Sequence, residues 1–247
     1  MDLPLKKLPK VTQDPKNLIL YGVPKIGKTS LLSTLEDNLI VDFEDGSDYV
    51  EALKVKINSI KEVNELCKAI KEANYPYKFI TIDTITALEE FAKPLALKML
   101  RMSPLGSNFI GDDVLQAPHG AGYGFLRDAI QKIIDKLSSC APNLILVGHV
   151  KDKAIISMGE SQDTNIKELD LTGKTGRILA AKSDAIGFVY RDKDSNLCIN
   201  FETNGEATAG ARPEHLANKR IIVAERQADG TFKSCWERIY PSLKDKK

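Results

Sequence analysis

A chain of 247 residues, 43% hydrophobic and 28% charged, has the makeup of a soluble globular protein large enough for one α/β domain with a sizeable core. A net charge of +1 falls short of the strongly basic footprint that a dedicated nucleic-acid binder often carries, so composition neither demands nor excludes DNA. Cys67, Cys140, Cys198 and Cys235 are widely spaced and only three histidines are available, which argues against a zinc site and against a disulfide framework.

Residues 1–16 hold Pro4, Pro9 and Pro15 among four lysines and read as an irregular arm too short to be a domain. They lack the continuous apolar stretch of a signal peptide, and no segment nears the roughly eighteen apolar residues of a membrane helix. A cytoplasmic protein is expected, with no membrane partner.

The short apolar run 18–21 reads as a buried strand, and Leu31-Leu32 begin an apolar helical face. Between them lies Gly22-Val23-Pro24-Lys25-Ile26-Gly27-Lys28-Thr29-Ser30, which has the spacing of a phosphate-binding loop. Strand, glycine loop and helix stand in the order the chemistry needs. Glycines let backbone N–H groups turn inward as an anion nest, and the helix adds its positive end. Lys28 is the charge for the outer phosphates of ATP, and the Thr29 hydroxyl is a ligand for Mg²⁺.

After a short helix over 29–36, an apolar strand over 38–43 ends in Asp42-Phe43-Glu44-Asp45-Gly46. Ligands of open α/β sheets bind at the carboxyl ends of strands, so Glu44 and Asp45 either face the nucleotide or are solvated turn residues. An amphipathic helix is expected over 59–73, with Ile60, Val63, Leu66, Cys67 and Ile70 on one stripe. The strand 77–84 that follows closes on Asp83, which reads either as the usual Mg²⁺-associated companion of a phosphate loop or as a helix N-cap.

A helix is expected over 87–102, with Pro94 as a possible kink, then a long loop over 103–124 holding five glycines, Phe109, His119 and Tyr123. Long loops inside compact chains are usually functional or disordered; His119 reads as a polar loop residue. Residues 125–137 return to helical periodicity, and the strand 143–147 leads into Gly148-His149-Val150-Lys151-Asp152-Lys153. His149 is either a phosphate sensor or a structural histidine. A second polar loop is expected over 154–173, a short helix over 174–182, strands over 184–190 and 197–202, and a last hairpin over 220–225 and 231–240 turning at Ala228-Asp229-Gly230. The whole reads as an arm (1–16), one nucleotide-binding α/β domain (17–240) and a charged tail (241–247).

This order of loop, strand ending in Glu44, strand ending in Asp83, strand ending in His149, long loop, Lys174-Thr175-Gly176-Arg177 and hairpins resembles the core of RecA-type ATPases over about residues 18–201. The Gly-x-Pro-Lys-x-Gly-Lys-Thr loop, the Gly-His-Val-Lys-Asp-Lys segment and the small size are similar to phage-encoded minimal RecA-like ATPases, the Sak-four single-strand annealing proteins. The resemblance implies a RecA-like P-loop core: a mostly parallel central sheet flanked by helices, with C-terminal β-hairpins.

It further implies Glu44 as the general base, Asp83 as the Mg²⁺-associated carboxylate, His149 at the position where RecA has a glutamine, and Arg191 and Lys193 reaching the γ-phosphate of a neighbouring subunit. The two loops take the places of DNA-binding loops; Lys151, Lys153, Lys167, Lys174 and Arg177 are the candidate phosphate contacts, and Phe109 or Tyr123 either offers a ring to a base or pins its loop to the core. The implied function is Mg²⁺-dependent ATP hydrolysis with single-stranded DNA binding and annealing or recombination, in a ring or filament of identical subunits, with a single-strand-binding protein as a further partner. The arm is shorter than a RecA docking segment and neither loop is strongly basic. The alternative is a P-loop switch of partition or circadian-clock type acting on a protein. A small-molecule kinase would need an arginine-rich lid, which 154–173 lacks, and a GTPase would need a guanine reader in the order Asn-Lys-x-Asp, which Val150-Lys151-Asp152-Lys153 does not supply.

Overall fold

The computed structural model describes residues 10, 13–155 and 164–246. Much of the expected arm (1–9 and 11–12) and the middle of the expected second loop (156–163) lie outside the described residues. Six strands pair in parallel at the centre: β7 (Ala185–Arg191), β1 (Asn17–Gly22), β5 (Asn143–Ile155), β4 (Phe79–Asp83), β2 (Asn38–Asp42) and β3 (Lys54–Lys56), in that spatial order. The antiparallel strands β8 (Leu197–Asn200), β10 (Arg220–Arg226) and β11 (Phe232–Ser234) extend the sheet beyond β7. Two more antiparallel strands flank it, β6 (Thr164–Leu169) on β5 and β9 (Gly210–Ala211) on β7. The expected mostly parallel centre flanked by helices and the antiparallel C-terminal strands are both present.

The central strands are buried on both faces, which is why they read as unbroken apolar runs and not as alternating ones. On one face α2 (Ile60–Glu72), α3 (Ile85–Arg101), α4 (Ala121–Ser138) and α5 (Thr175–Lys182) cover Ile19, Tyr21, Val41, Ile80, Ile82 and Leu146. The other face packs α1 (Lys28–Ser33) and the C-terminal segment onto Leu18, Leu20, Ile40, Ile145 and Val147. Helix α2 starts where Ser59 accepts from the Glu62 N–H and the Glu62 carboxylate accepts in return from the Asn58 N–H. Helix α3 runs through Pro94 as one element.

Four stretches differ from expectation. The expected second loop begins as a two-stranded ribbon, β5 continuing to Ile155 against β6, where Lys151 faces Glu168 and Asp152 faces Lys167. The glycine-rich end of the first loop is the first turn of α4, because a Cβ at Gly122 would lie 1.7 Å from the Val114 carbonyl oxygen and the close approach needs glycine. Two short 3₁₀ turns, Val114–Gln116 and Pro118–Gly120, precede it. The last strand stops at Ser234, and Trp236 turns inward so that its indole N–H donates to Leu31 O and Thr34 Oγ1 of α1, both at 3.2 Å.

The expected tail also docks: Pro241–Lys246 is a 3₁₀ helix whose Leu243 packs on the core and whose Ser242 N–H and hydroxyl donate to Asp14. A half-buried Leu243 outweighs the tail's charges, which the sequence shows first.

Trp236 and Tyr240 both lie under 5% exposed against α1 and Phe79, yet the Tyr240 hydroxyl has no hydrogen-bond partner among the described residues. Trp236→Ala should therefore cost about 3–5 kcal/mol in urea unfolding, as cavity-forming aromatic truncations do. Tyr240→Phe, which deletes only an unsatisfied polar group, should be neutral or stabilising. A Tyr240→Phe loss above about 2 kcal/mol would mean that the hydroxyl is bonded after all.

Candidate functional site

Parallel pairing brings the carboxyl ends of β1, β5, β4 and β2 to one edge, with Gly22 beside His149, Val147 beside Asp83 and Asp83 beside Asp42. Because β5 lies between β1 and β4, His149 stands between the glycine loop and the acidic strand ends. Everything expected at the nucleotide site except the 191–193 turn comes from these four ends and their first turns.

Val23, Pro24, Lys25, Ile26 and Gly27 form the loop, and α1 starts at Lys28. Gly27 has φ +110°, a left-handed conformation in which a side chain would be strained, and a Cβ there would also meet an Arg191 guanidinium nitrogen at 3.2 Å. Lys28 is 7% exposed and donates from Nζ to the carbonyls of Gly22 (3.0 Å) and Val23 (2.9 Å), so its charge is held at the mouth of the loop. Burial lowers its ammonium pKa from the ordinary value, while the charges of Asp83 and Glu44 pull it back up.

Thr29 Oγ1 donates to Asp83 Oδ2 at 2.7 Å. Asp83 is 5% exposed; burial pushes its carboxyl pKa up, the Thr29 hydrogen bond offsets part of this, and the nearby charges of Asp42 and Glu44 add to the rise. These two oxygens fit a Mg²⁺ ion, which is commonly held by one or two protein groups and completed by substrate phosphates and water. Among the described residues no group of three or more His, Cys, Asp or Glu side chains forms an all-protein metal cage.

Glu44 and Asp45 separate cleanly. Glu44 turns toward its neighbours: its Oε2 accepts from Thr84 Oγ1 at 2.9 Å and its Oε1 lies 2.9 Å from His149 Nε2. Asp45 instead pairs with Lys56 at 3.1 Å on the exposed turn. The turn is held by Asp42, whose carboxylate accepts from the backbone N–H groups of Glu44 (2.8 Å) and Ser47 (3.0 Å). His149 Nδ1 is buried without a partner among the described residues. The ring therefore has one bonded nitrogen, aimed at Glu44.

Sequence reading missed Thr84, which both caps α3 by accepting from the Ala87 N–H and donates to Glu44. A threonine directly after a strand and three residues before a helical alanine is an N-cap signal that could have found it. It also missed Glu89, 6% exposed on the core stripe of α3, which accepts from the Thr172 N–H (2.8 Å) and hydroxyl. A carboxylate at a helical core position is the signal there. Thr86 adds a second tie, accepting from the His149 N–H at 3.1 Å and donating to Asp170 O at 3.3 Å.

The expected DNA contacts gather only in part. Lys151 (with Asp170, 3.5 Å), Lys153 (with Glu168, 3.2 Å) and Arg177 (with Glu168, 3.5 Å) converge beside α5. Lys167 pairs with Asp152 at 3.8 Å, one residue out of phase with Lys151 and Lys153 in the ribbon, and its ammonium lies 6.0 Å from the Phe188 ring. Tyr123 is exposed with its ring against Gly173, next to the exposed Lys174. Phe109 is half-buried against the α3–α4 core. His119 is exposed. Arg191 lies beside the Gly27 of its own chain, and Lys193 is exposed in the turn between β7 and β8. A larger concavity of about 680 Å³, lined by both signs of charge including Lys16, Asp184 and Arg212, opens at the amino ends of β1 and β7 and does not meet the loop.

The family described as AAA domain matches residues 14–220. Among solved structures the fold is similar to that of a KaiC-like protein from the hyperthermophilic archaeon Pyrococcus horikoshii OT3, at 12% identity over 89% of each chain and a TM-score of 0.45. No curated protein matches the sequence. No described helix is long and apolar enough to cross a membrane.

Asp83 is a test of what this edge is built for. Its carboxyl pKa is raised even with Lys28 attracting it, so the ionised form costs stability. That cost is present in full above the folded pKa and disappears as pH falls toward the ordinary Asp value, about 3.9. Asp83→Asn should therefore be more stable than the parent at neutral pH in urea unfolding without nucleotide, with the advantage shrinking on acidification, and should lose the stabilisation that Mg²⁺ and ATP give the parent. A less stable Asn variant at neutral pH would contradict this account of the site.

Proposed function

Since the chain belongs to the AAA-domain family, matched over residues 14–220, and is a P-loop ATPase, we propose that it is the Mg²⁺-dependent, single-stranded-DNA-binding member type that promotes annealing or recombination. The observation that carries the hydrolytic half is the convergence of Lys28, the Thr29–Asp83 pair and Glu44 on one strand edge. Lys28 and the loop residues 22–30 hold the phosphates. Thr29 and Asp83 hold Mg²⁺, which when bound neutralises charge on the phosphate oxygens.

Glu44 takes the proton from the attacking water, with Thr84 fixing one of its oxygens and His149 the other. His149 carries the site's state outward, because its own N–H is bonded to Thr86 and its carbonyl accepts from Asp170, at the base of the β5–β6 ribbon.

The DNA half is supported by Tyr123 against Gly173, beside Lys174 and Arg177, where the first and second loops meet. A ring for a base and cations for phosphates are what a sequence-tolerant single-strand site needs, at about 1–3 kcal/mol per stacked base. The Lys151–Asp170 pair is half-exposed, so phosphate can displace that carboxylate at small cost, whereas Glu168, with 19% of its side chain exposed, holds Lys153 and Arg177 more firmly. Self-assembly into a ring or filament, with Lys193 near the neighbour's nucleotide, belongs to the same proposal.

The test is fluorescence anisotropy of a labelled single-stranded oligonucleotide across salt, with and without a non-hydrolysable ATP analogue. Affinity should rise with the nucleotide and fall with salt with a slope of about −0.7 per phosphate neutralised. Lys28→Ala should abolish the nucleotide effect while keeping a native circular-dichroism spectrum. Absence of binding at low salt, in protein that binds ATP, would remove the DNA reading and favour a protein partner.

A further inference from the structure

A cavity of about 160 Å³ adjoins the phosphate loop on the side of the C-terminal strands. Gly27, Ser30 and Leu31 line it from the loop and α1, and Arg191, Leu197 and Phe232 from β7, β8 and β11. Two of its walls are thus phosphate-loop residues, so whatever fills it is continuous with a group bound at the loop.

The far wall is a stacked pair. The guanidinium carbon of Arg191 lies 4.8 Å from the centre of the Phe232 ring. The guanidinium is fixed by donating from Nη1 to Ser195 O at 2.8 Å, and Nη2 reaches Gly27. Phe232 sits on the outermost strand and keeps 45% of its surface in water, an exposed aromatic face beside a planar cation. Flat, weakly hydrated rings are what such a pair accepts.

We propose that this cavity holds the purine base of the nucleotide, resting on Arg191 and Phe232 of the same subunit. The inference rests on the phosphate-loop reading above and assigns Arg191 to the base in cis, not to a neighbour's γ-phosphate. Besides the Arg191 guanidinium, whose Nη1 is taken by Ser195 O and whose face lies on Phe232, the polar groups in the lining are the hydroxyls of Ser30, Thr34 and Ser234, with no carboxylate to accept from a guanine edge. Thr34 is already committed, donating to Leu31 O at 2.7 Å and accepting from the Trp236 indole. The base is therefore held by its faces and not read at its edge, so adenine and guanine nucleotides bind with similar affinity.

Calorimetric titration with a non-hydrolysable ATP analogue, the matching GTP analogue and inorganic tripolyphosphate tests this directly. Phe232→Ala and Arg191→Ala should each weaken both nucleotide analogues about tenfold, the scale of a lost base-stacking contact, and leave tripolyphosphate binding unchanged. Phe232→Trp should restore the affinity, which a merely structural role on this edge strand would not explain. Equal losses for tripolyphosphate and nucleotide would overturn the proposal by putting Arg191 or Phe232 on the phosphates. So would unchanged nucleotide binding in both variants, or a parent that binds the ATP analogue more than a hundredfold better than the GTP analogue. A parent that binds neither tripolyphosphate nor nucleotide would instead overturn the phosphate-loop reading, and this inference with it.

Discussion

The parallel register of β1, β5, β4 and β2 is the constraint on which the rest of the molecule depends. Parallel strands need long covered crossovers, and these supply the helices that bury both faces of the sheet. The same register puts four carboxyl ends level, so residues far apart in sequence meet: Thr29 with Asp83, Glu44 with Thr84 and His149. A one-residue slip of β4 against β5 would turn Asp83 away from Thr29 and exchange its face with Thr84. The core thus fixes the site, and burial of Lys28 and Asp83 is the energetic consequence.

His149 links this edge to the surface. Its side chain meets Glu44, while its backbone is tied to Thr86 on α3 and to Asp170 where the ribbon begins. Glu89, bonded to Thr172, pins the other end of the same junction to α3. Glu44, His149, the base of the ribbon and the Tyr123–Gly173 contact are thus joined through bonded and packed groups.

The loop 22–30, Glu44, Asp83 and His149 were legible because each lies within a few residues of an apolar run that only a buried strand explains. What escaped reading did so for identifiable reasons. Beyond the Val150–Leu169 pair at its buried base, the ribbon of β5 and β6 is laced by cross-strand charge pairs, so Val150-Lys151-Asp152-Lys153 carries no hydrophobic pattern. Gly122 looks like a loop residue but exists because the backbone at Val114 packs against α4. The C-terminal residues read as a strand, then a tail, because a lone Trp236 or Leu243 gives no period from which docking on α1 could be inferred. Thr84 was hidden by its ordinary role as a helix cap, and the residues alone leave open which of Glu44 and Asp45 faces the other strand ends, a choice the resemblance makes for Glu44 and the Asp42-held turn agrees with.

On the proposed function, Glu44, held between Thr84 and His149, activates water for ATP hydrolysis. Steady-state ATPase rates of Glu44→Gln, measured alongside its calorimetric affinity for a non-hydrolysable ATP analogue, test it most directly. The kcat should fall by about 10²–10⁴-fold while nucleotide affinity is kept, because an amide cannot accept the proton. Asp45→Asn, on its exposed pair with Lys56, should retain the parent rate. Undiminished hydrolysis in Glu44→Gln, or a collapse in Asp45→Asn alone, would contradict it.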